Sequence, residues 1–338
     1  MELVDLVHQK CKIVSIIGMA KNAGKTVTLN RIIEDSYDRD INLGITSTGR
    51  DGERIDVLTN TEKPAIYAFE GNIIATTTGS IEISDATIEI IEITDYRSPM
   101  GKIVLGRVID GGYIEIAGPQ TIKEMKVISD RILQLGADLV LVDGSINRIA
   151  VADPNITDGA VLATGAVLSR SMDKVIEETL HQKTLLGLPE VEEDLKGILI
   201  DNTRDISIID KDFNINRLNI KTSINSGKVI ADNIDENSKY VFMTGSLVTK
   251  TLKDITEYSK LYKDVTIVVP DGTKIFVGPK DWLKFKKKGV KIKVLNTINV
   301  IAITLNPYSP LGYYFNPEEF KEKMSNYIKD LPVFDVMI

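Results

Sequence analysis

An α/β fold with a mainly parallel sheet is what this sequence predicts, and three observations carry the prediction. Apolar β-branched runs such as IVSIIG at 13–18 and ADLVLVD at 137–143 have the unbroken hydrophobicity of strands buried on both faces. Helically spaced stretches occur beside them, as in VTLNRIIEDSYD, where Val27, Leu29, Ile32 and Ile33 suit packing on a sheet. The two patterns then alternate along much of the chain, as strand–helix–strand units do.

Taken in order, IVSIIG is the first strand and VTLNRIIEDSYD the first long helix, and NLGITSTG is a second strand running into the polar loop GRDGERID. From 64 to 118 the character changes to short β segments separated by turn residues: AIYAFE, NIIATTT, ATIEIIEIT, GKIVLGRVI and GYIEIAG. We read this as a β-rich insertion, about 62–118, or a set of hairpins. A helix is expected over 119–135, with Pro119 at its start and Gly136 just past its end. ADLVLVD is the next buried strand; ATGAVLS is another strand-like run, and SMDKVIEETLHQ a helix. Beyond a charged stretch at 191–205, the segments KYVFMTGS, LVTKTLKDITEYSKL, VTIVVPDG, PKDWLKFKKKG, VKIKVLN and NVIAITLNP repeat the alternation. The expected division is therefore a first domain at 1–195 and a second α/β region at 196–338, either its own domain or an extension of the first sheet.

Length and composition agree with two domains and set limits on function. The chain has 338 residues, 43% of them hydrophobic and 26% charged, enough to bury a large core. Cys11 is the single cysteine, which excludes an intramolecular disulfide and a Cys-rich zinc site. His8 and His181 are the two histidines, too few for a His-based metal centre. A net charge of -7 argues against a broad nucleic-acid footprint, and the run Lys284, Lys286, Lys287, Lys288 reads as a solvated helix end. The amino terminus lacks the apolar stretch of a secretory signal, and no apolar run reaches the roughly 20 residues that span a bilayer. A cytoplasmic protein without membrane or nucleic-acid partners is expected.

The chemistry concentrates in Gly18-Met-Ala-Lys-Asn-Ala-Gly24-Lys25-Thr26. In the usual phosphate-loop pattern the first glycine stands five residues before the second, a position held here by Met19; Gly18 stands six before Gly24. The physics survives the longer spacing. A loop between a buried strand and a helix start points successive backbone N–H groups at an anion, and the helix dipole adds to the attraction. Gly18, Lys21, Asn22, Ala23, Gly24, Lys25, Thr26 and Val27 are thus the expected nucleotide-binding residues. Gly24 lets the backbone approach the phosphates, Lys25 neutralises the β- and γ-phosphates, and Thr26 is a Mg²⁺ ligand. Lys21 is either an additional phosphate lysine or a solvent-exposed one. The predicted fold is accordingly that of a P-loop NTPase with a mainly parallel sheet, a β-rich insertion and a second α/β region.

Such a site needs a second acidic group at a neighbouring strand end. Asp143 closes ADLVLVD and is the expected metal ligand or water-positioning carboxylate. In the loop after the second strand, Asp51 comes soonest and is a further catalytic and metal candidate; the alternative is a turn aspartate in Asp-Gly. Two more segments are candidate ligand loops: 154–159, as a lid, and the turn-rich, aromatic stretch Asn306 to Tyr314, for which ordinary turn chemistry is the alternative.

The Gly-x5-Gly-Lys-Thr loop resembles those of dethiobiotin synthetase and the cobyrinic acid amidotransferases, within the SIMIBI class of P-loop ATPases and GTPases. Over nearly the full chain, IIGMAKNAGKTVTLN, GITSTGRDGERID, YIEIAGP, LVLVDGSINR, ATGAVLS and NPYSPLGYYFNP resemble the ATP-binding subunit of the reactivating factor of lysine 5,6-aminomutase. That resemblance implies a cytoplasmic ATPase using ATP and Mg²⁺, which opens a cobalamin-dependent aminomutase for cofactor exchange. It also implies partnership with that aminomutase, with or without a second reactivase subunit, and the 196–338 region as the partner surface. Lys25, Thr26, Asp51 and Asp143 would carry the switch. A homodimer is expected, since most soluble oligomers are symmetric. The alternatives are an ATP-dependent synthetase of the dethiobiotin type, which would need a carboxylate pocket beside the γ-phosphate, and a metallochaperone, which the scarcity of Cys and His disfavours.

Overall fold

A computed structural model describes residues 2–48, 66–144, 152, 154–200, 205–220 and 225–337. The chain folds into two α/β units, one formed by 1–179 with 299–338 and the other by 180–298.

The first unit is built on a nine-stranded sheet. Its strands are β1 (Ile13–Gly18), β2 (Leu43–Thr48), β3 (Ile73–Thr77), β4 (Thr87–Ser98), β5 (Gly101–Asp110), β6 (Leu139–Gly144), β7 (Gly159–Gly165), β8 (Val300–Asn306) and β9 (Val333–Asp335). They lie side by side as β9-β8-β7-β1-β6-β2-β3-β5-β4. All neighbours from β9 to β3 are parallel, and β5 and β4 close the far edge as an antiparallel hairpin. The five β segments expected over 64–118 all form, but three of them are β3, β4 and β5 and extend the main sheet. Only 66–68 and 112–114 pair apart from it, as a small ribbon. The region thus extends the sheet by antiparallel hairpin pairing, the second of the two expected forms, rather than standing beside it as an insertion.

Helices α1 (Leu3–Lys10) and α2 (Lys25–Tyr37) cover one face, and α3 (Ile122–Gln134) the other. β6 shows how the two faces are sorted. Leu139 and Leu141 pack with Leu29, Ile32 and Ile33 of α2, whereas Val140 and Val142 pack with Met125, Ile128 and Ile132 of α3. This is the period-2 alternation of a strand buried on both sides. α3 begins later than Pro119 suggests. Thr121 caps it, accepting from Glu124 N while Glu124 accepts from Thr121 N, so the capping box overrides the proline signal. Gly136 ends it at a φ of 106°, as expected of a residue that must turn left-handed. ATGAVLS is strand only at its start, because β7 ends at Gly165 and Ala166–Leu168 is a 3₁₀ turn.

The second unit has a five-stranded sheet ordered 215–217, 207–210, 238–242, 266–269, 291–294. The last three strands are parallel, and Val241, Phe242, Val268 and Val294 are fully buried in it. The expected boundary near 195 is displaced, and 196–338 is not one region. NVIAITLNP pairs with β7 as β8, and Val333–Asp335 pairs with β8, so the last forty residues complete the first sheet. The apolar run of β8 demands burial on both faces, which its place between β7 and β9 supplies. Among the described residues, no helix is long and apolar enough to cross a membrane.

Candidate functional site

β1 sits in the middle of the sheet, between β7 and β6, and its carboxyl end runs into the Gly18–Thr26 loop and then α2. Three features fix the loop's path. Met19 N donates to Ala163 O (3.0 Å), tying its start to β7, and Ala23 N donates to Ala20 O (3.3 Å). Asn22 and Gly24 take left-handed φ angles of 62° and 97°. Asparagine tolerates that conformation better than other residues with a β-carbon, and glycine adopts it without penalty.

Gly24 is the residue before α2 and offers no side-chain cap. The first amides of a helix have no intrahelical acceptor, so the N–H groups of Lys25, Thr26 and Val27 lie where an anion would satisfy them. Lys25 and Thr26 are half-buried in this first turn. Thr28, fully buried, donates its hydroxyl to Gly24 O (3.0 Å) and shares a 2.7 Å hydrogen bond with Thr304 of β8.

Asp143 arrives by strand register. It stands beside Ile16 of β1 on one side and Ser47 of β2 on the other. As the residue after Leu139 and Leu141 in the alternation, it faces α2, and there Lys25 Nζ pairs with its carboxylate. Each side chain keeps 18% exposure, so the ion pair sits in a mouth that solvent reaches. The structure therefore brings together two residues that the sequence assigned separately, from a loop and from a strand end more than a hundred residues away.

Other expected site residues divide into three groups. Gly18 closes β1, and Lys21, Asn22, Ala23 and Val27 lie on the loop or the first turn of α2. Asp51 and the rest of the 50–56 loop lie outside the described residues. The 154–159 segment is at the wrong end of the sheet for a lid. The Asp158 carboxylate accepts from Lys12 N (2.8 Å) and Ile13 N (2.9 Å), pinning it to the amino end of β1.

The candidate loop at 306–314 meets the site at its first residue, and a further neighbour, Gly118, was given no role from sequence. Asn306, closing β8, lies against Gly24: a β-carbon on Gly24 would stand 2.7 Å from that of Asn306. The stretch after it forms a small hairpin, 308–309 with 313–314, that exposes Tyr308 and Tyr314 and sends the Tyr313 hydroxyl to Ala166 O (2.8 Å). Within YIEIAGP, Gly118 crosses so close to β2 that a β-carbon there would come 1.7 Å from Ser47 O. The segment is moored by Thr76, whose hydroxyl donates to Glu115 O (2.9 Å) and accepts from Ala117 N (3.1 Å). Only glycine permits this approach, immediately beside the residue that pairs with Asp143.

The second unit holds its own polar cluster. Lys293 is the main group holding the Glu192 carboxyl down at about 2, helped by the hydroxyl of Tyr240. Burial, and then Glu192, push Tyr240 up to about 12. These groups satisfy one another. In the first unit burial, then nearby Asp158, push the Cys11 thiol up to about 11, which leaves it an inert core residue.

Comparisons of the chain with protein-family models, with curated proteins and with solved structures gave no match.

Proposed function

We propose that the chain binds a nucleoside triphosphate, ATP by preference, on the Gly18–Thr26 loop and hydrolyses it with Mg²⁺. The observation that carries this reading is the meeting of Lys25 and Asp143 at an uncapped helix start, beyond the carboxyl end of a central parallel strand. The cation and the N–H groups suit phosphate oxygens. The carboxylate, once Lys25 turns to the phosphates, is left facing the same mouth and can hold a water or a metal.

The donor chemistry fits Mg²⁺. Asp143 and Thr26 offer hard oxygens, and among the described residues no cluster of three or more His, Cys, Asp or Glu forms a cage. Mg²⁺ characteristically takes one or two carboxylates and completes its shell with water and phosphate oxygens. Bound there, it would neutralise charge on the β- and γ-phosphates. The chain's own part is to orient the triphosphate through the amides of the loop, to hold the γ-phosphate at Lys25, and to place a water with Asp143. Tyr308 and Tyr314, exposed on the hairpin after β8, are candidate aromatic surfaces for the base.

The hydrolysis is proposed to serve reactivation of a cobalamin-dependent aminomutase, with the ATP-dependent state of this unit driving exchange of damaged cofactor. Support for this step is the sequence resemblance in the loop, the YIEIAGP segment and the 306–317 stretch. The test is recovery of activity when inactivated lysine 5,6-aminomutase is incubated with this protein, a candidate second subunit, adenosylcobalamin and Mg-ATP. Recovery with the wild type and none with Lys25→Ala is the expected result. Recovery that ignores ATP or survives Lys25→Ala contradicts the reading.

A further inference from the structure

We propose that Asn306 is a positioning residue: it holds the Gly18–Thr26 loop in its anion-ready shape through Asn22 and Gly24, and does not read the base. The inference rests on the nucleotide reading for its functional consequence, while its structural part stands on contacts alone.

The loop contains two left-handed residues within three positions, Asn22 at 62° and Gly24 at 97°. A short loop of that kind has other conformations available, because glycine samples many and an asparagine at positive φ gives up some stability. Something must select one of them. Asn306 covers Gly24, with its Cβ at 2.7 Å and its Cγ and Nδ2 at 3.5 Å from where a β-carbon on Gly24 would be. Its Nδ2 donates to Asn22 O at 3.4 Å, a long bond, and its Oδ1 accepts from Tyr308 N at 3.0 Å. Only one orientation of the amide satisfies a carbonyl on one side and an N–H on the other, so the side chain is fixed between the loop and its own strand end.

The surroundings make room for this contact. Gly165 pairs with Asn306 across β7 and β8, and a β-carbon there would come 2.4 Å from Asn306 O. Gly24 and Gly165 are therefore both glycines for the same neighbour. Two residues earlier on β8, and on the same face, Thr304 bonds to Thr28, which in turn bonds to Gly24 O. β8 thus holds the loop through Asn306 and the first helical turn through Thr304. The sequence reading ascribed Gly24 to close approach of phosphate; its backbone angle and Asn306 already require glycine.

A loop held in its binding shape before the ligand arrives gains affinity because less ordering is left to do. The consequence separates positioning from recognition. Tripolyphosphate carries the charges of ATP without ribose or base, so a residue that shapes the loop affects both ligands alike.

The experiment compares wild type, Asn306→Ala, Asn306→Ser and Thr304→Val, the last removing only the hydroxyl that meets Thr28. Backbone hydrogen exchange is measured without ligand, and affinities for ATP and for tripolyphosphate by calorimetry. Asn306→Ala is expected to speed exchange over 19–27 about tenfold and to weaken both ligands by a similar factor, roughly tenfold. Exchange in 139–144 and 238–242 stays as in the wild type. Thr304→Val gives the same pattern at about threefold, and Asn306→Ser, too short to reach Asn22 O, decides the matter by exchange over 19–27 if Asn306→Ala does not fold. Weaker ATP with unchanged tripolyphosphate overturns the proposal, because Asn306 would then be touching the nucleoside. Unchanged exchange over 19–27 overturns it as well. If wild type binds neither ligand, the nucleotide reading fails, and the exchange data still decide whether Asn306 sets the loop.

Discussion

The two units share an architecture and differ at their strand ends. Each has parallel strands whose carboxyl ends gather polar residues, the usual place for a ligand in α/β sheets. In the first unit the central strand passes through a glycine–lysine loop straight into α2, whose start has no side-chain cap. In the second, the strand 238–242 leads into Met243 to Ser246 and then into the two-residue strand Leu247–Val248, which pairs with Ile275–Phe276 before the next helix begins. The helix start there is not delivered from the strand end. The acids nearby are also engaged: Asp271 accepts from Thr273 N (2.7 Å) and Glu190 from Thr297 N (2.8 Å). A strand end becomes an anion site when its polar groups are left over by the fold. In the second unit backbone N–H groups already occupy these two acids, Asp271 as the cap of a short 3₁₀ turn and Glu190 at Thr297.

This contrast can be broken in three places, in order of expected effect. Gly24→Ala should cost about a hundredfold in ATP affinity, since the new β-carbon meets Asn306 and the φ of 97° disfavours it. Calorimetric titration measures the loss, and thermal melting should show the second unit unchanged. An affinity near that of wild type would mean that the loop is not the site. Asp143→Asn should keep ATP affinity within a few-fold while phosphate release falls at least tenfold, because the amide still fills the place but no longer carries the charge. Undiminished turnover would remove Asp143 from the chemistry. Asp271→Ala should leave ATP affinity untouched and destabilise the second unit by about 1 kcal/mol, the usual worth of an N-terminal cap. A fall in nucleotide affinity from that change would show the two units to be functionally joined.

How much of this was legible in the sequence follows from the range of each interaction. The loop and Asp143 could be read because each is a local pattern: an apolar strand ends, and a glycine–lysine turn or a carboxylate follows. Their meeting also had a local sign, since Leu139, Leu141 and Asp143 keep one alternation and place the acid on the face of α2. Asn306 opened a stretch that its turn and aromatic residues marked as a candidate loop, but its contact with Asn22 and Gly24 had no local sign. It stands 284 residues from Asn22, and only the return of β8 to the sheet brings them together. The same return displaced the expected boundary, because VIAITLN reads as a buried strand in whichever sheet it joins. The Gly118 crossing was equally hidden: its neighbour is a backbone carbonyl of β2, which no side-chain pattern encodes. The lid expected at 154–159 failed for a reason visible only in register, as Asp158 serves the amino end of β1 rather than its carboxyl end.

The central claim is that a nucleoside triphosphate sits on the first unit's loop, and its most direct test is where the ligand protects the backbone. Hydrogen exchange measured with and without Mg-ATP should show slowing in peptides covering 18–28 and 139–144, with 238–242 and 266–273 unaffected. Protection confined to the second unit, or none at saturating Mg-ATP, would contradict the account.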